Sequence, residues 1–315
     1  MIEATSDLHA LVETFFSTSF STDNPLITEA VRRMLAAGGK RLRPRITLLS
    51  ASACGADPRE HLHLAAFMEL IHVATLIHDD VVDRADTRRG VNATAVDFGN
   101  KISVLAGDYL FAWIFKNVTA SYAAPIPHIL SATLADICDG EVLQLRALGN
   151  LDLHLDEYVE VARKKTAALF AASARCGALA SGADDTTVEA LRAYGEAFGI
   201  AFQMLDDLLD VAADEATIGK PVGNDLAERK MTIPLIFALQ HGDANFRSLL
   251  TRMYTGEDED LADVILAGVR GNGALDATRL EIARYVDKAR RALAPLGESP
   301  ASTELANLAT GLLVS

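Results

Sequence analysis

Two aspartate clusters of one design carry the chemistry in this sequence: Asp79, Asp80 and Asp83 in LIHDDVVDRAD, and Asp206, Asp207 and Asp210 in FQMLDDLLDVAADE. Each is a DDxxD set in an otherwise apolar stretch of helical periodicity, where carboxylates are costly unless a cation sits among them. At 3.6 residues per turn, Asp79 and Asp83 share one helix face, and so do Asp206 and Asp210. If the two helices face each other across a cavity, several oxygen ligands converge with nothing inside the clusters to neutralise them. Such a donor set suits Mg²⁺, and Mg²⁺ held by a few carboxylates usually brings a substrate phosphate with it. A single DDxxD is as often a solvated charge run on a helix. Here Leu76, Ile77, Val81 and Val82 flank one copy, and Met204, Leu205, Leu208, Leu209 and Val211 the other, which weighs against a solvated face.

Diphosphates carry several negative charges of their own, so basic residues are needed beside the metal. The first group is Gly38-Gly39-Lys40-Arg41-Leu42-Arg43-Pro44. Its glycines free the backbone, and Lys40 and Arg43 are three apart, so that one turn aims both in one direction. The second is Arg88-Arg89, at the expected end of the first aspartate helix, where the planar guanidinium fork suits a multi-oxygen anion. The third comprises Lys164-Lys165-Thr166, Lys220 beside Gly219, and Arg229-Lys230. His72 lies seven residues before Asp79, two turns away on the same face. A lone histidine in an apolar segment is more often a core residue, but its alignment with the aspartates favours a phosphate ligand.

The elements that must position these groups are helices. Apolar residues recur at three- and four-residue spacing and strand-like alternation is nearly absent, so the fold class is all-α, a single domain over 1–315 with no linker. Breaks fall at Asn24-Pro25, Gly38-Gly39, Gly55 to Pro58, Arg88 to Asn92, Pro125 to Pro127, Gly149-Asn150, Ser181 to Asp185 and Gly219 to Gly223. Thr186-x-x-Glu189 reads as a capping box opening the helix that carries Asp206. Ile102 to Phe115 and Ala167 to Ala180 are apolar over most of their circumference, which fits the centre of a large bundle or the interface of a homodimer.

Composition excludes several classes. With 50% hydrophobic residues and a net charge of -14, the chain has material for a core beneath an acidic surface, and is a poor general binder of nucleic acid. Its first residues carry acids where a signal peptide carries bases, and no apolar run approaches a bilayer span, so the chain reads as cytoplasmic with no transmembrane segment. Cys54, Cys138 and Cys176 have no CxxC or zinc spacing and read as buried small residues. There is no GxSxG, no HExxH and no Cys/His nucleophile pattern.

The order GGKRLRP, LIHDDVVDRADTRRG, KKTAALF, FQMLDDLLD and GKPVGNDLAERKMTIP, over about residues 35 to 240, resembles the trans-polyprenyl diphosphate synthases. The resemblance implies a helical bundle around a deep central cavity, a homodimer, and Mg²⁺-dependent condensation of isopentenyl diphosphate onto an allylic diphosphate. Carried onto this chain, it gives Lys40, Arg43, His72 and Arg89 to isopentenyl diphosphate, and Arg88, Lys165, Gln203, Lys220 and Lys230 to the allylic diphosphate. Asp79, Asp83 and Asp206 become metal ligands, with Asp80, Asp207 and Asp210 as outer or additional ones, and Thr166 and Gln203 lie near the allylic cation. Product length is expected to be set along the helix before Asp79: Ala74 and Thr75 are small, Ile71, Met68 and Phe67 lie deeper, and a product longer than farnesyl follows, with hand-off to a membrane. The alternatives are a farnesyl or geranylgeranyl diphosphate synthase, a class I terpene cyclase, which needs no GGKRLRP, and a partner-dependent subunit. A basic C-terminal tail, common in the family, is missing: no Lys or Arg follows Arg291.

Overall fold

The computed structural model describes residues 10–16, 20, 22–88, 90–212 and 223–314. Helices dominate as the periodicity predicts, and among the described residues the one β ladder is a two-residue hairpin, β1 (Thr87–Arg88) against β2 (Val91–Asn92). No helix among them is long and apolar enough to cross a membrane.

The first half runs through α1 (residues 10–16), α2 (Pro25–Ala36), α3 (Leu42–Ala53), α4 (Leu62–Val82), α5 (Thr94–Phe98), α6 (Asn100–Ser121) and α7 (Ile126–Ala147). Then come α8 (Leu155–Ala162), a π-helical turn (Arg163–Ala167), α9 (Ala168–Ala180) and α10 (Asp185–Ala212). A short helix, α11 (Asn224–Ala227), precedes α12 (Ile233–His241) and four further helices ending at Gly311.

The predicted breaks fall between elements. Asn24 caps α2, its Oδ1 accepting from the N–H of Leu26 at 3.0 Å, with Pro25 in the first turn where its missing N–H costs nothing. The capping box placed at Thr186 needs correction. Asp184 caps α10, accepting from Thr187 N–H at 2.7 Å, so Thr186 already lies inside the first turn. A carboxylate two residues upstream offers a charged acceptor to the same free N–H groups.

The chain groups into two compact units, interleaved along the sequence: 1–131, 172–191 and 296–302 form one, and 132–171, 192–295 and 303–315 the other. In the first, α4 packs on α3 and α6, and Leu64, Met68, Leu70, Ile71, Ile77, Leu110 and Ile114 are wholly buried. Gly177 lies against the backbone of α3, where a Cβ would stand 2.4 Å from the Thr47 carbonyl oxygen. In the second, Phe170, Phe198 and Tyr194 form a run of rings, and Tyr194 donates its hydroxyl to Leu305 O at 2.7 Å.

The two helices expected to be apolar all round differ. The segment Ala167 to Ala180 is almost wholly buried or half-buried, whereas α6 leaves Val104, Leu105 and Tyr109 exposed. Of the cysteines, only Cys176 is buried, its thiol pushed up to about 12 by desolvation; Cys54 is half-buried and Cys138 exposed on α7. Small size permits burial but does not decide which face of a helix turns inward.

Candidate active site

In the first unit, the aspartates sit where α4 stops. Asp79 and Asp80 are in its last turn and Asp83 is the residue just past it, its N–H donating to Asp79 O at 2.8 Å. Helix geometry sorts them: Asp79 and Asp83 are half-buried, while Asp80 turns inward with 0% exposure. His72, Thr75, Leu76 and Asp79 form the half-buried stripe of α4, so the histidine shares the side of the first metal-type aspartate as its spacing predicts. Ala74, Ile71, Met68 and Phe67 are buried.

Arg88, on β1, closes over Asp80. Its Nε and Nη2 both reach Asp80 Oδ1, at 2.7 and 2.6 Å. Burial pushes the Asp80 carboxyl up, Arg88 opposes that, and the Asp83 charge adds to it. The second oxygen, Oδ2, is buried with no hydrogen-bond partner. Arg88 therefore spends its fork inside the cluster, so its expected place on a diphosphate requires it to share or exchange that carboxylate. Arg89 lies outside the described residues.

Lys40 and Arg43 flank the entry to α3. Lys40 is exposed and Arg43 half-buried in the first helical turn. Arg41 between them is buried, 3% exposed.

In the second unit, Asp206, Asp207 and Asp210 occupy the last turns of α10. Asp206 is exposed, Asp210 half-buried and Asp207 buried at 4%. Both oxygens of Asp207 accept bonds: Oδ2 from the Tyr158 hydroxyl at 2.5 Å, and Oδ1 from Gln203 Nε2 at 2.7 Å. Gln203 in turn accepts from Thr166 Oγ1 at 2.6 Å, so Thr166, Gln203, Asp207 and Tyr158 form one chain of bonds. Asp210 accepts from the N–H groups of Asn224 and Asp225 at 3.3 and 3.2 Å, which orders the start of α11.

Burial pushes the Asp207 carboxyl up to about 7; the bonds from Tyr158 and Gln203 oppose this, and the charges of Asp206 and Asp210 add to it. Asp225 is also driven well above the usual carboxylate range, by burial first and then by Asp207 and Asp210, against the pull of Lys230. After burial, Asp206 and Asp210 thus add to the proton affinity of Asp207, and Asp206, Asp207 and Asp210 to that of Asp225. That is the environment a divalent cation relieves.

Lys165 and Thr166 are presented by the π turn, a wide turn of the kind found at functional sites. Lys165 Nζ reaches Gln144 Oε1 at 2.5 Å and pairs with Glu141. Gly140 makes the turn's position possible: a Cβ there would lie 2.5 Å from Lys165 N and 2.9 Å from its Cα. Lys230 follows Arg229, whose φ is 59°, and pairs with Glu228. Lys220 lies outside the described residues.

Among the described residues, no three His, Cys, Asp or Glu groups are gathered so as to hold a metal ion by themselves. Mg²⁺ differs from zinc in this respect, keeping water and substrate oxygens and needing one or two carboxylates. The buried unpartnered oxygen of Asp80 and the crowded carboxylates near Asp207 fit that mode of binding.

Sequence reasoning passed over Tyr158, Asp225, Glu141 and Gly140. No periodicity marks them; Asp225 stood within GNDLAERK without a role, and Tyr158 looks like any apolar position of α8.

The polyprenyl synthetase family model matches residues 24–267. Octaprenyl diphosphate synthase of Escherichia coli is 38% identical over 290 residues, covering 92% of this chain and 90% of that protein. A short chain isoprenyl diphosphate synthase of Methanothermobacter thermautotrophicus is 37% identical over 291 residues, covering 91% of this chain and 90% of that protein. The crystal structure of a decaprenyl diphosphate synthase from Rhodobacter capsulatus superimposes with a TM-score of 0.93 at 42% identity, covering 99% of this chain and 97% of that one. With its helical fold, its two DDxxD helices and this match over most of its length, the chain belongs to the polyprenyl synthetase family and is a prenyltransferase.

Proposed function

We propose that this prenyltransferase joins isopentenyl diphosphate head-to-tail to an allylic diphosphate in a Mg²⁺-dependent reaction, and repeats the step to an all-trans product longer than farnesyl. The observation that carries the metal-dependent chemistry is the crowding of Asp206, Asp207 and Asp210 in the last turns of α10, with Asp210 bonded to the N–H of Asp225. The names of the octaprenyl and decaprenyl relatives support the longer product.

Asp79, Asp83 and Asp206, with Asp80, Asp207 and Asp210 as outer or additional ligands, would hold Mg²⁺, which would supply positive charge to the allylic diphosphate. Lys165, Gln203, Lys230, Arg88 and Lys220 hold that diphosphate, and Lys40, Arg43, His72 and Arg89 hold isopentenyl diphosphate. Fixed cationic donors stabilise charge as it develops on the leaving oxygen, so no protein nucleophile is required. The Thr166 hydroxyl and the Gln203 amide, held by their mutual bond, present oxygen dipoles that favour a nearby allylic cation. Apolar walls keep water from that cation, which it would otherwise convert to an alcohol.

The active form is a homodimer. In support, α6 exposes Val104, Leu105 and Tyr109, and α7 exposes Val142 and Leu145, apolar stripes that a single chain leaves in water. The enzyme works in the cytoplasm and passes its product to a membrane.

A second reading is a short-chain synthase, favoured by the 37% identity to a short chain isoprenyl diphosphate synthase. One assay separates them: purified chain, farnesyl diphosphate, labelled isopentenyl diphosphate and Mg²⁺, with dephosphorylated products resolved by chromatography. Products beyond geranylgeranyl are expected, and chelation of Mg²⁺ by EDTA abolishes them. Turnover of the allylic diphosphate without isopentenyl diphosphate would instead indicate a cyclase, and inactivity of the pure chain a missing subunit.

A further inference from the structure

Of the three cations in GGKRLRP, only the middle one is buried. Arg41 extends into the first unit between α1, the end of α2, and α4. Its Nε donates to Glu13 Oε1 at 2.6 Å, its Nη1 to Glu69 Oε1 at 3.0 Å, and its Nη2 to the Leu35 carbonyl at 2.8 Å. The guanidinium also lies over the Phe16 ring, 5.2 Å from its centroid. Burial opposes its charge, but the bonds and charges of Glu13 and Glu69 outweigh that and raise its pKa.

The backbone beneath this side chain is unusual. Gly38, Gly39 and Arg41 have φ of 75°, 146° and 47°, so three of four consecutive residues lie in the half of conformational space that L side chains avoid. Glycine enters it freely; arginine does not. Arg41 also precedes α3 without any side-chain cap bond to hold the turn. What holds Arg41 in this conformation is the far end of its own side chain, tied at several points to three separate segments.

One of those points has a geometric meaning for the site. Glu69 lies on α4 one turn before His72, and Arg41 lies between Lys40 and Arg43. The Arg41–Glu69 pair, buried on both sides, therefore sets the spacing between the loop and the helix that carry Lys40, Arg43 and His72.

We propose that Arg41 is a positioning residue for the isopentenyl diphosphate site: its buried guanidinium fixes the strained turn that presents Lys40 and Arg43 and ties that turn to α4 and to α1. The N-terminal helix is thereby part of this site through Glu13, without touching substrate. The inference rests on the assignment of Lys40, Arg43 and His72 to isopentenyl diphosphate. A lysine cannot replace Arg41, because one ammonium cannot span carboxylates on two helices and a carbonyl on a third segment.

The test is steady-state kinetics of the full chain with each substrate varied in turn, on variants shown by thermal melting to be folded. Arg41→Lys is expected to raise KM for isopentenyl diphosphate at least tenfold, with KM for the allylic diphosphate within about twofold of the parent. Glu13→Gln, at a partly exposed position that leaves no buried charge alone, tests the same coupling if Arg41→Lys fails to fold, and is expected to raise KM for isopentenyl diphosphate several-fold. An unchanged KM for isopentenyl diphosphate in the folded variants, or an equal rise for both substrates, overturns the proposal. Lys40→Ala, measured alongside, isolates the underlying assignment: if it leaves KM for isopentenyl diphosphate unchanged, the site itself has been misplaced.

Discussion

Tyr158 donates its buried hydroxyl to Asp207 Oδ2 at 2.5 Å, while Gln203 holds the opposite oxygen, so that the second aspartate of FQMLDD is fixed from both sides by neutral donors. Asp206, its neighbour, is exposed. Two adjacent carboxylates on one helix thus differ in environment, one buried between two donors and one exposed.

Removing the hydroxyl should therefore disturb catalysis more than folding. Tyr158→Phe leaves one buried carboxylate oxygen without a donor, at a cost of about 1–3 kcal/mol. The partner of a ligating carboxylate typically matters 10–100-fold for metal affinity or activity. We expect turnover to fall by about that factor, with a larger Mg²⁺ requirement in a metal titration. Parent-like Mg²⁺ dependence would leave Tyr158 as packing alone.

The raised Asp207 carboxyl makes a prediction for the metal-free chain. Its folded value of about 7 lies above the ordinary unfolded value near 4. Between these values the folded chain keeps a proton that the unfolded chain has released, so stability falls as pH rises through about 4 to 7 and then levels off. Melting temperatures measured in EDTA should drop by several degrees between pH 5 and pH 8. In Asp207→Asn that slope should shrink, and at pH 8 the variant should melt above the parent.

Gly140 gives a steric test of the π turn. In Gly140→Ala the new methyl meets the Lys165 backbone at 2.5 Å, a contact that only movement of α7 or of the turn can relieve. Overpacking of this kind costs about 1–3 kcal/mol. Because Lys165 and Thr166 move with the turn, kcat should fall at least tenfold in protein that remains folded at assay temperature. A parent-like kcat would show that the turn tolerates displacement.

Product length tests the buried side of α4. Phe67 makes edge contacts with Trp113 and Phe15, at 6.0 and 6.3 Å between centroids, and Trp113 meets Phe20 at 5.5 Å, an aromatic cluster on the stretch of α4 about 18 Å before Asp79. Ala74, wholly buried, lies between. Ala74→Phe should shorten the main product towards farnesyl or geranylgeranyl diphosphate, and Phe67→Ala or Met68→Ala should lengthen it or broaden the distribution. Chromatography of dephosphorylated products reads this directly, and an unchanged distribution in active Ala74→Phe enzyme would move the ruler to another helix.

The features legible in the sequence were those with a period or a composition of their own. The helices followed from apolar spacing, and the aspartate pairs stood out because carboxylates are conspicuous among Leu, Ile and Val. His72 could be placed beside Asp79 because both obey one helical repeat. What could not be read was the direction of charges outside that repeat. Arg41 and Arg43 look alike in GGKRLRP, yet one is buried on Glu69 and the other half-buried in the first turn of α3. Arg88 looked free for a diphosphate and lies on Asp80. Tyr158 and Asp207 are 49 residues apart, and Gly140 meets Lys165 across two helices, contacts that only the folded chain creates.

The π turn at Arg163–Ala167 gives this stretch a rotational meaning. A turn closed by one extra residue offsets everything after it by about 100° about the axis relative to an unbroken α-helix. Deleting one residue between Tyr158 and Lys165 would let the backbone relax into ordinary α-helix. Because the lost residue and the lost wide turn cancel, Tyr158 would keep its phase with Lys165 and Thr166. When relatives are aligned, a single-residue gap here is therefore compatible with an unchanged angle, whereas a second gap would turn Lys165 and Thr166 away by about 100°.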